Sequence, residues 1–423
     1  MKKILPLFVI AIFVPQLAFA ALPKLHGFVE FDYGLKLSDD NTKRDNYNLL
    51  EQRLQLKLTH YFSGENYLAN KGAVLNFRGD FLVDWYYSGK TDFDLREANV
   101  LLSPFRFMDL KAGRQVLTWG TGDYLFINDQ FPKDYESFYA GRDDEYLKKP
   151  SDAIKTSFYP KFANIDFVMI PYFTPNTLPK GDRLSFFDSF QGGIAGRNSD
   201  RHIISPPFQL SNTEYALRVY KGLGSNELAF YGFWGYNKNP ESYKNEALRQ
   251  LYHEKRDVYG ASLRGPIASG IGNVEVGYNY SREDPLGVKR TVANSKLQVM
   301  SGYEKDLGND FKIGFQYLYE QMMNYAKYRD NLLSQDYRWD QHRHLLANRI
   351  TKLFKNQTVR VSLFTFYSPT DNDGYIRPSV SYDITDRWRT TLGANLPWGE
   401  DEHTAFGQMK KNKNMYLRVR YSF

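Results

Sequence analysis

Along most of this chain apolar and polar residues take turns. The last nine residues show it most clearly: Leu417, Val419, Tyr421 and Phe423 share one parity, and Tyr416, Arg418, Arg420 and Ser422 share the other. Successive side chains of a strand point to opposite faces, so the pattern predicts a strand with one apolar and one charged face. Similar segments recur at 26–37, 47–60, 72–87, 92–103, 108–119, 153–160, 163–174, 212–221, 225–236, 257–266, 271–282, 294–305, 309–325, 343–355, 357–368, 373–384, 386–397 and 414–423. That makes about eighteen strands, an even number, as single-chain bacterial barrels have.

The connections alternate as well. From a periplasmic start, the even-numbered ones are short turns, apart from a longer one over 60–71. The odd-numbered ones include every long loop, 120–152, 175–211, 237–257, 326–342 and 398–413. A miscounted strand would scramble that order, and it persists to Phe423. The faces sort in the same way. Val274, Val276, Tyr278 and Tyr280 lie opposite Asn273, Glu275, Gly277 and Asn279, and Ile313, Phe315, Tyr317 and Tyr319 lie opposite Lys312, Gly314, Gln316 and Glu320. A bilayer demands apolar residues outside and charges inside, because a midplane Lys or Arg on the lipid face costs about 2–4 kcal/mol. The predicted fold is all-β: a transmembrane antiparallel barrel of about eighteen strands over 21–423.

Composition changes the picture in three places. Residues 1–20 carry Lys2 and Lys3, an apolar run from Ile4 to Leu17 and a closing Ala18-Phe19-Ala20, the layout of a cleaved secretory signal. Aromatic residues make up 16% of the chain, and girdles at two membrane interfaces would use them. Trp85, Tyr86, Tyr87, Trp119, Trp234, Tyr236, Trp388 and Trp398 crowd predicted strand ends, where such girdles lie. With no cysteine, disulfides, thiolate metal sites and covalently attached haem are excluded. The net charge of +7, reduced by loss of Lys2 and Lys3 with the leader, leans towards anions without suggesting nucleic acid.

The terminal strand, ending on Phe423 two residues after Tyr421, resembles the closing strand of Gram-negative outer-membrane barrels. In those proteins the terminal aromatic is read by the insertion machinery. Leu95-Arg96-Glu97-Ala98, followed by Gly113-Arg114-Gln115 and Trp119-Gly120 ahead of a long loop, is similar to a family of porin-like outer-membrane barrels. That family is itself distantly like the alginate-export barrels. The resemblance implies an outer-membrane barrel and does not specify a solute. Gly113 and Gly120 also read as bulge or strand-end glycines, with Arg114 packed across the wall.

The candidate chemistry is a charge pattern. Inward positions near the closing seam carry Arg360, Arg377, Arg387, Arg389, Arg418 and Arg420, and the first two strands bring Glu30, Asp32 and Arg53 beside them; Lys111 lines the pore further round. Asp166, Glu214 and Glu227 fall on the far wall. A basic wall facing an acidic one would set a transverse field and tune selectivity; the bland alternative is that the arginines pair with neighbouring acids and stiffen the wall. The acidic loop 120–152 either folds into the lumen as a constriction, binds calcium as a cap, or lies solvated outside. His253, His342, His344 and His403 sit in or beside outer loops at no metal spacing, and no catalytic motif is present.

The expectation is therefore a non-enzymatic channel of the Gram-negative outer membrane, passing small hydrophilic solutes with a mild anion or sugar-acid preference. It has no cofactor, metal or nucleic-acid partner. It meets lipid bilayer, lipopolysaccharide and the outer-membrane assembly machinery, with a homo-oligomer left open. The rivals are a scaffold sheathing a partner, such as a multihaem conduit or a polysaccharide exporter, and an outer-membrane enzyme.

Overall fold

The computed structural model describes residues 24–40, 42, 46–62, 72–334 and 336–423; the expected leader over residues 1–20 and most of the 60–71 connection lie outside them. Eighteen antiparallel strands form one closed sheet. In chain order they are β1 Leu25–Lys36, β2 Tyr47–Phe62, β3 Ala73–Asp84, β4 Lys90–Phe105, β5 Met108–Val116, β6 Pro150–Phe158, β7 Asn164–Ile170, β8 Glu214–Leu223 and β9 Asn226–Tyr236. They continue as β10 Lys255–Ile267, β11 Gly270–Ser281, β12 Lys296–Asp306, β13 Phe311–Met322, β14 His342–Phe354, β15 Val359–Ser368, β16 Asp373–Asp383, β17 Trp388–Gly399 and β18 Asn414–Ser422.

Closure is made by β1, which pairs with β2 on one side and with β18 on the other, Glu30 facing Arg420 and Asp32 facing Arg418. Phe423 N donates to Gly27 O at 3.0 Å, and Gly27 N returns a bond to Phe423 O at 3.1 Å. The seam thus holds to the last residue, and the barrel needs no edge to protect.

At one end the connections are brief, as at 106–107, 224–225 and 268–269; at the other lie 117–149, 171–213, 237–254, 323–341 and 400–413. Ala268 and Ser269 both take positive φ, 45° and 61°, the two-residue hairpin geometry that matches strand twist. Gly113 has φ 120°, and a Cβ there would stand 2.3 Å from Ala98 O, so the first position of the Gly113-Arg114-Gln115 stretch tolerates only glycine.

The alternation decides the faces. Val29, Phe31, Phe81, Phe93, Phe167, Phe230, Tyr259, Val274, Phe315, Ile376, Leu392 and Leu417 stand exposed on the outer face. Trp85, Trp234 and Trp388 join them or lie at their edge. Trp119, Tyr86 and Tyr236 are exceptions to the girdle expectation. Trp119 packs on Phe131 and Tyr231 inside the barrel, while Tyr86 and Tyr236 are buried. His342 and His344 lie on the outward face of β14, each with Nδ1 at 2.7 Å from a tyrosine hydroxyl, Tyr319 and Tyr317. His253 is buried rather than exposed, its Nδ1 2.8 Å from Asn237 O.

Candidate functional site

Residues 117–149, between β5 and β6, fold into the lumen. Local sequence shapes the segment. Asp134 caps the helix α1, Tyr135–Ala140, by accepting from Ser137 N at 2.8 Å, and Gly141 ends it at φ 97°. Asp143 then caps a single 3-10 turn by accepting from Glu145 N. Two short turns back to back thus project three consecutive carboxylates, Asp143, Asp144 and Glu145, towards the wall.

That wall is the arginine ladder. Asp144 accepts from Arg377 Nη2 at 2.9 Å. Asp143 accepts from Arg418 at 3.1 Å and from Arg420 at 3.3 Å, and Glu145 accepts from Arg420 at 3.4 Å. From the other side Asp32 holds Arg418 at 2.9 Å and Glu30 holds Arg420. Burial is the largest influence on Asp144 and opposes its charge, yet Arg377, Tyr124 and Arg418 together outweigh it and hold the carboxyl below the usual range. Glu145 moves the other way, raised by burial and then by Asp143. Arg377, Arg418 and Arg420 are therefore neutralised in place, each by a carboxylate of the loop.

The same loop continues along the wall in both directions. Arg142 clamps Glu51 of β2, with Nε at 2.9 and 3.2 Å from the two carboxylate oxygens. Tyr146 donates to Asp80 at 2.8 Å, and its ring lies 4.0 Å under the Arg53 guanidinium. On the opposite wall Glu275 of β11 receives four bonds. Thr121 N and Oγ1 donate at 2.7 and 2.8 Å, and Asn128 N and Nδ2 both donate at 3.0 Å. Between these anchors Leu125, Ile127, Phe138 and Leu147 pack on inward residues of β12–β16, namely Met300, Leu318, Leu345, Phe364, Phe366 and Tyr375. Large apolar side chains facing inward would be costly in an open aqueous pore; here the loop covers them.

A second segment supports the first. Arg183, from 171–213, is the largest fully buried side chain among the described residues. It pairs with Glu51 at 3.2 Å and with Asp84, and its Nη1 donates to Asn48 O.

The sequence-derived residues fall into groups. Glu30, Asp32, Arg53, Arg377, Arg418 and Arg420 are brought together under the loop. Arg389 faces inward nearer the short turns, exposed, and pairs with half-buried Asp383; Arg360 shares that region. Lys111 faces inward beside Lys155 on the opposite side. Arg387 is a correction: it lies in the turn before β17, ahead of the strand's alternating register, and its guanidinium reaches Tyr421 Oη at 3.3 Å. The acids of the far wall are paired too, Asp166 with Lys155, Glu214 with Lys238 and Glu227 with Arg218. Arg142, Arg183, Glu51 and Glu275 were missed as anchors. One signal was available, since three adjacent carboxylates on a loop and a row of inward arginines are complementary. Among the described residues no group of His, Asp and Glu is arranged to hold a metal.

No family model and no curated protein sequence matches the chain. Solved structures do share its fold. Acinetobacter baumannii OccAB3 superposes with a TM-score of 0.55 at 11% identity, covering 95% of this chain and 99% of that one. Pseudomonas aeruginosa OccK11 (OpdR) gives 0.54 at 10% identity over 95% and 96%, and OccD3 (OpdP) of the same organism gives 0.54 at 10% over 95% and 90%.

Proposed function

We propose that this chain is a diffusion channel of the Gram-negative outer membrane for small hydrophilic solutes, narrowed by residues 117–149. The observation that carries the reading is the combination of an apolar outer face with a polar inner face crossed by the chain's own loop. A barrel of 16–18 strands encloses more space than its own wall side chains fill, and here a loop takes up part of it. The scaffold reading is weaker, because this space is occupied by the chain itself. Lipid, lipopolysaccharide and the assembly machinery are the partners such a channel would meet. Planar-bilayer recordings with the purified protein test the reading: discrete conductance steps support it, and a silent, correctly folded barrel overturns it.

The anion or sugar-acid lean is part of the same proposal, and it moves away from the ladder. Lys57, Lys111 and Arg360 face inward, and among the described residues none makes an ion pair. A charge acts within a Debye length of about 8 Å at physiological salt, so unpaired cations reach well into a narrow lumen. Replacing the three by Gln should shift the reversal potential in a salt gradient towards cations. An unchanged potential removes the selectivity claim while leaving the channel.

A further inference from the structure

Below residues 120–123 of the inward loop, the walls of β10–β14 border a cavity of about 200 Å³. The side-chain layer has a gap there. Gly314 faces inward, and a Cβ built on it would meet its nearest atom, Arg349 Cβ, only at 3.8 Å. Arg349 itself is taken, since Asp123 holds it at 2.9 Å. Arg264 on β10 and Glu304 on β12 are not. Both are exposed to the lumen, both border the cavity, and among the described residues neither makes an ion pair or a side-chain hydrogen bond. Asn273, on the strand between them, donates to Thr121 O at 2.8 Å and leaves its Oδ1 without a donor.

Register fixes how far apart the two charges stand. Arg264 lies opposite Asn273, and Glu304 lies opposite Ile271 on the same intervening strand. Their Cα atoms are thus two strand spacings of about 4.8 Å apart across the sheet and two residues of about 3.4 Å apart along it, about 12 Å in all. The two side chains make no ion pair with each other, and one small molecule between them would touch both. We infer that the cavity binds a small zwitterion with a carboxylate and an ammonium on the same or neighbouring carbons, the α-amino-acid class. Arg264 receives the carboxylate and Glu304 the ammonium. Two charge-assisted contacts of about 2.8 Å, with charged ends about 3 Å apart by bond geometry, span about 9 Å, a gap that two long side chains reaching in from Cα atoms about 12 Å apart bracket. The cavity is smaller than the roughly 300–1,000 Å³ typical of sites for drug-sized ligands, which limits the occupant to a single small unit. A dicarboxylate would set one end against Glu304, and a diamine would set one end against Arg264.

The inference rests on the lumen being a solute path, and its test separates the two. Calorimetry on the detergent-solubilised full chain, with L-glutamine as probe and succinate and putrescine as comparators, should show saturable binding of glutamine alone. Arg264→Gln and Glu304→Gln should each weaken it at least tenfold, and the exchange R264E/E304R should restore part of the loss. Gel mobility before and after boiling verifies that each variant is a folded barrel. No saturable glutamine binding, equal binding of succinate, or undiminished binding in both single variants overturns the site. A protein that conducts ions but binds no glutamine keeps the channel and loses this inference; one that binds but does not conduct does the reverse.

Discussion

Glu275 is the point where removing one side chain should release the loop from the wall. Its carboxylate is buried at 1% exposure and accepts four bonds between 2.7 and 3.0 Å from Thr121 and Asn128. In Glu275→Ala the Thr121 hydroxyl can turn elsewhere, and Asn128 Nδ2 keeps Val276 O at 3.1 Å. The two backbone N–H groups cannot turn. Each buried donor left without a partner costs about 1–3 kcal/mol, so the attachment weakens by about 2–6 kcal/mol. At about 1.4 kcal/mol per tenfold change, even the low end raises the detached population roughly thirtyfold. The chain has no cysteine, so Ile127→Cys, at a position 1% exposed against the same wall, supplies a single reporter thiol. In the Glu275→Ala background that thiol should react with a small maleimide at least tenfold faster, and channel recordings should gain current noise and wider substates. Glu275→Gln should be milder, since one oxygen remains an acceptor. Equal labelling rates with and without Glu275 would show that apolar packing alone holds the loop and refute the reasoning.

Other perturbations have equally definite outcomes. Arg418→Gln leaves Glu30 and Asp32 buried beside each other with one fewer cation; breaking such a pair costs about 3–5 kcal/mol, so the boiling step that converts folded to unfolded gel mobility should be reached at lower temperature, whereas exposed Arg389→Gln should shift it little. Phe423→Asp should lower the amount of protein reaching the outer membrane, because Phe423 closes the seam against Gly27; normal levels would count against a role in assembly. Gly113→Ala should reduce folding yield, since its φ and the approach of Ala98 O both exclude a side chain, and an unaffected yield would contradict that. Burial holds the His253 imidazole down at about 4, against an ordinary 6.5. The unfolded chain therefore takes up the proton first, so this stability is complete above about pH 6.5 and is lost as pH falls towards 4; His253→Gln should flatten the unfolding midpoint across that window.

The strands were legible in the sequence because their signal is local. Alternation over ten residues is enough to fix a strand and its two faces, and Leu417 or Arg418 needs no distant partner to reveal which way it points. Even the order of closure follows, since an eighteenth strand in lipid must pair with the first. The lumen was not legible in the same way. Alternation puts Arg377, Arg418 and Arg420 on the inward parity, but their partners Asp143, Asp144 and Glu145 lie more than two hundred residues away on a segment without periodicity. An arginine facing water and an arginine neutralised by an inserted loop have the same strand pattern; only the path of 117–149 distinguishes them. The inward apolar residues carried a weak warning, because Phe364, Phe366 and Tyr375 break the rule of a polar lumen and require something to cover them. The sequence by itself therefore determined the wall, through short-range alternation against a bilayer. The tertiary structure alone decided which charges remain free inside it, because ion pairing depends on distances of a few ångströms between segments that no local pattern relates.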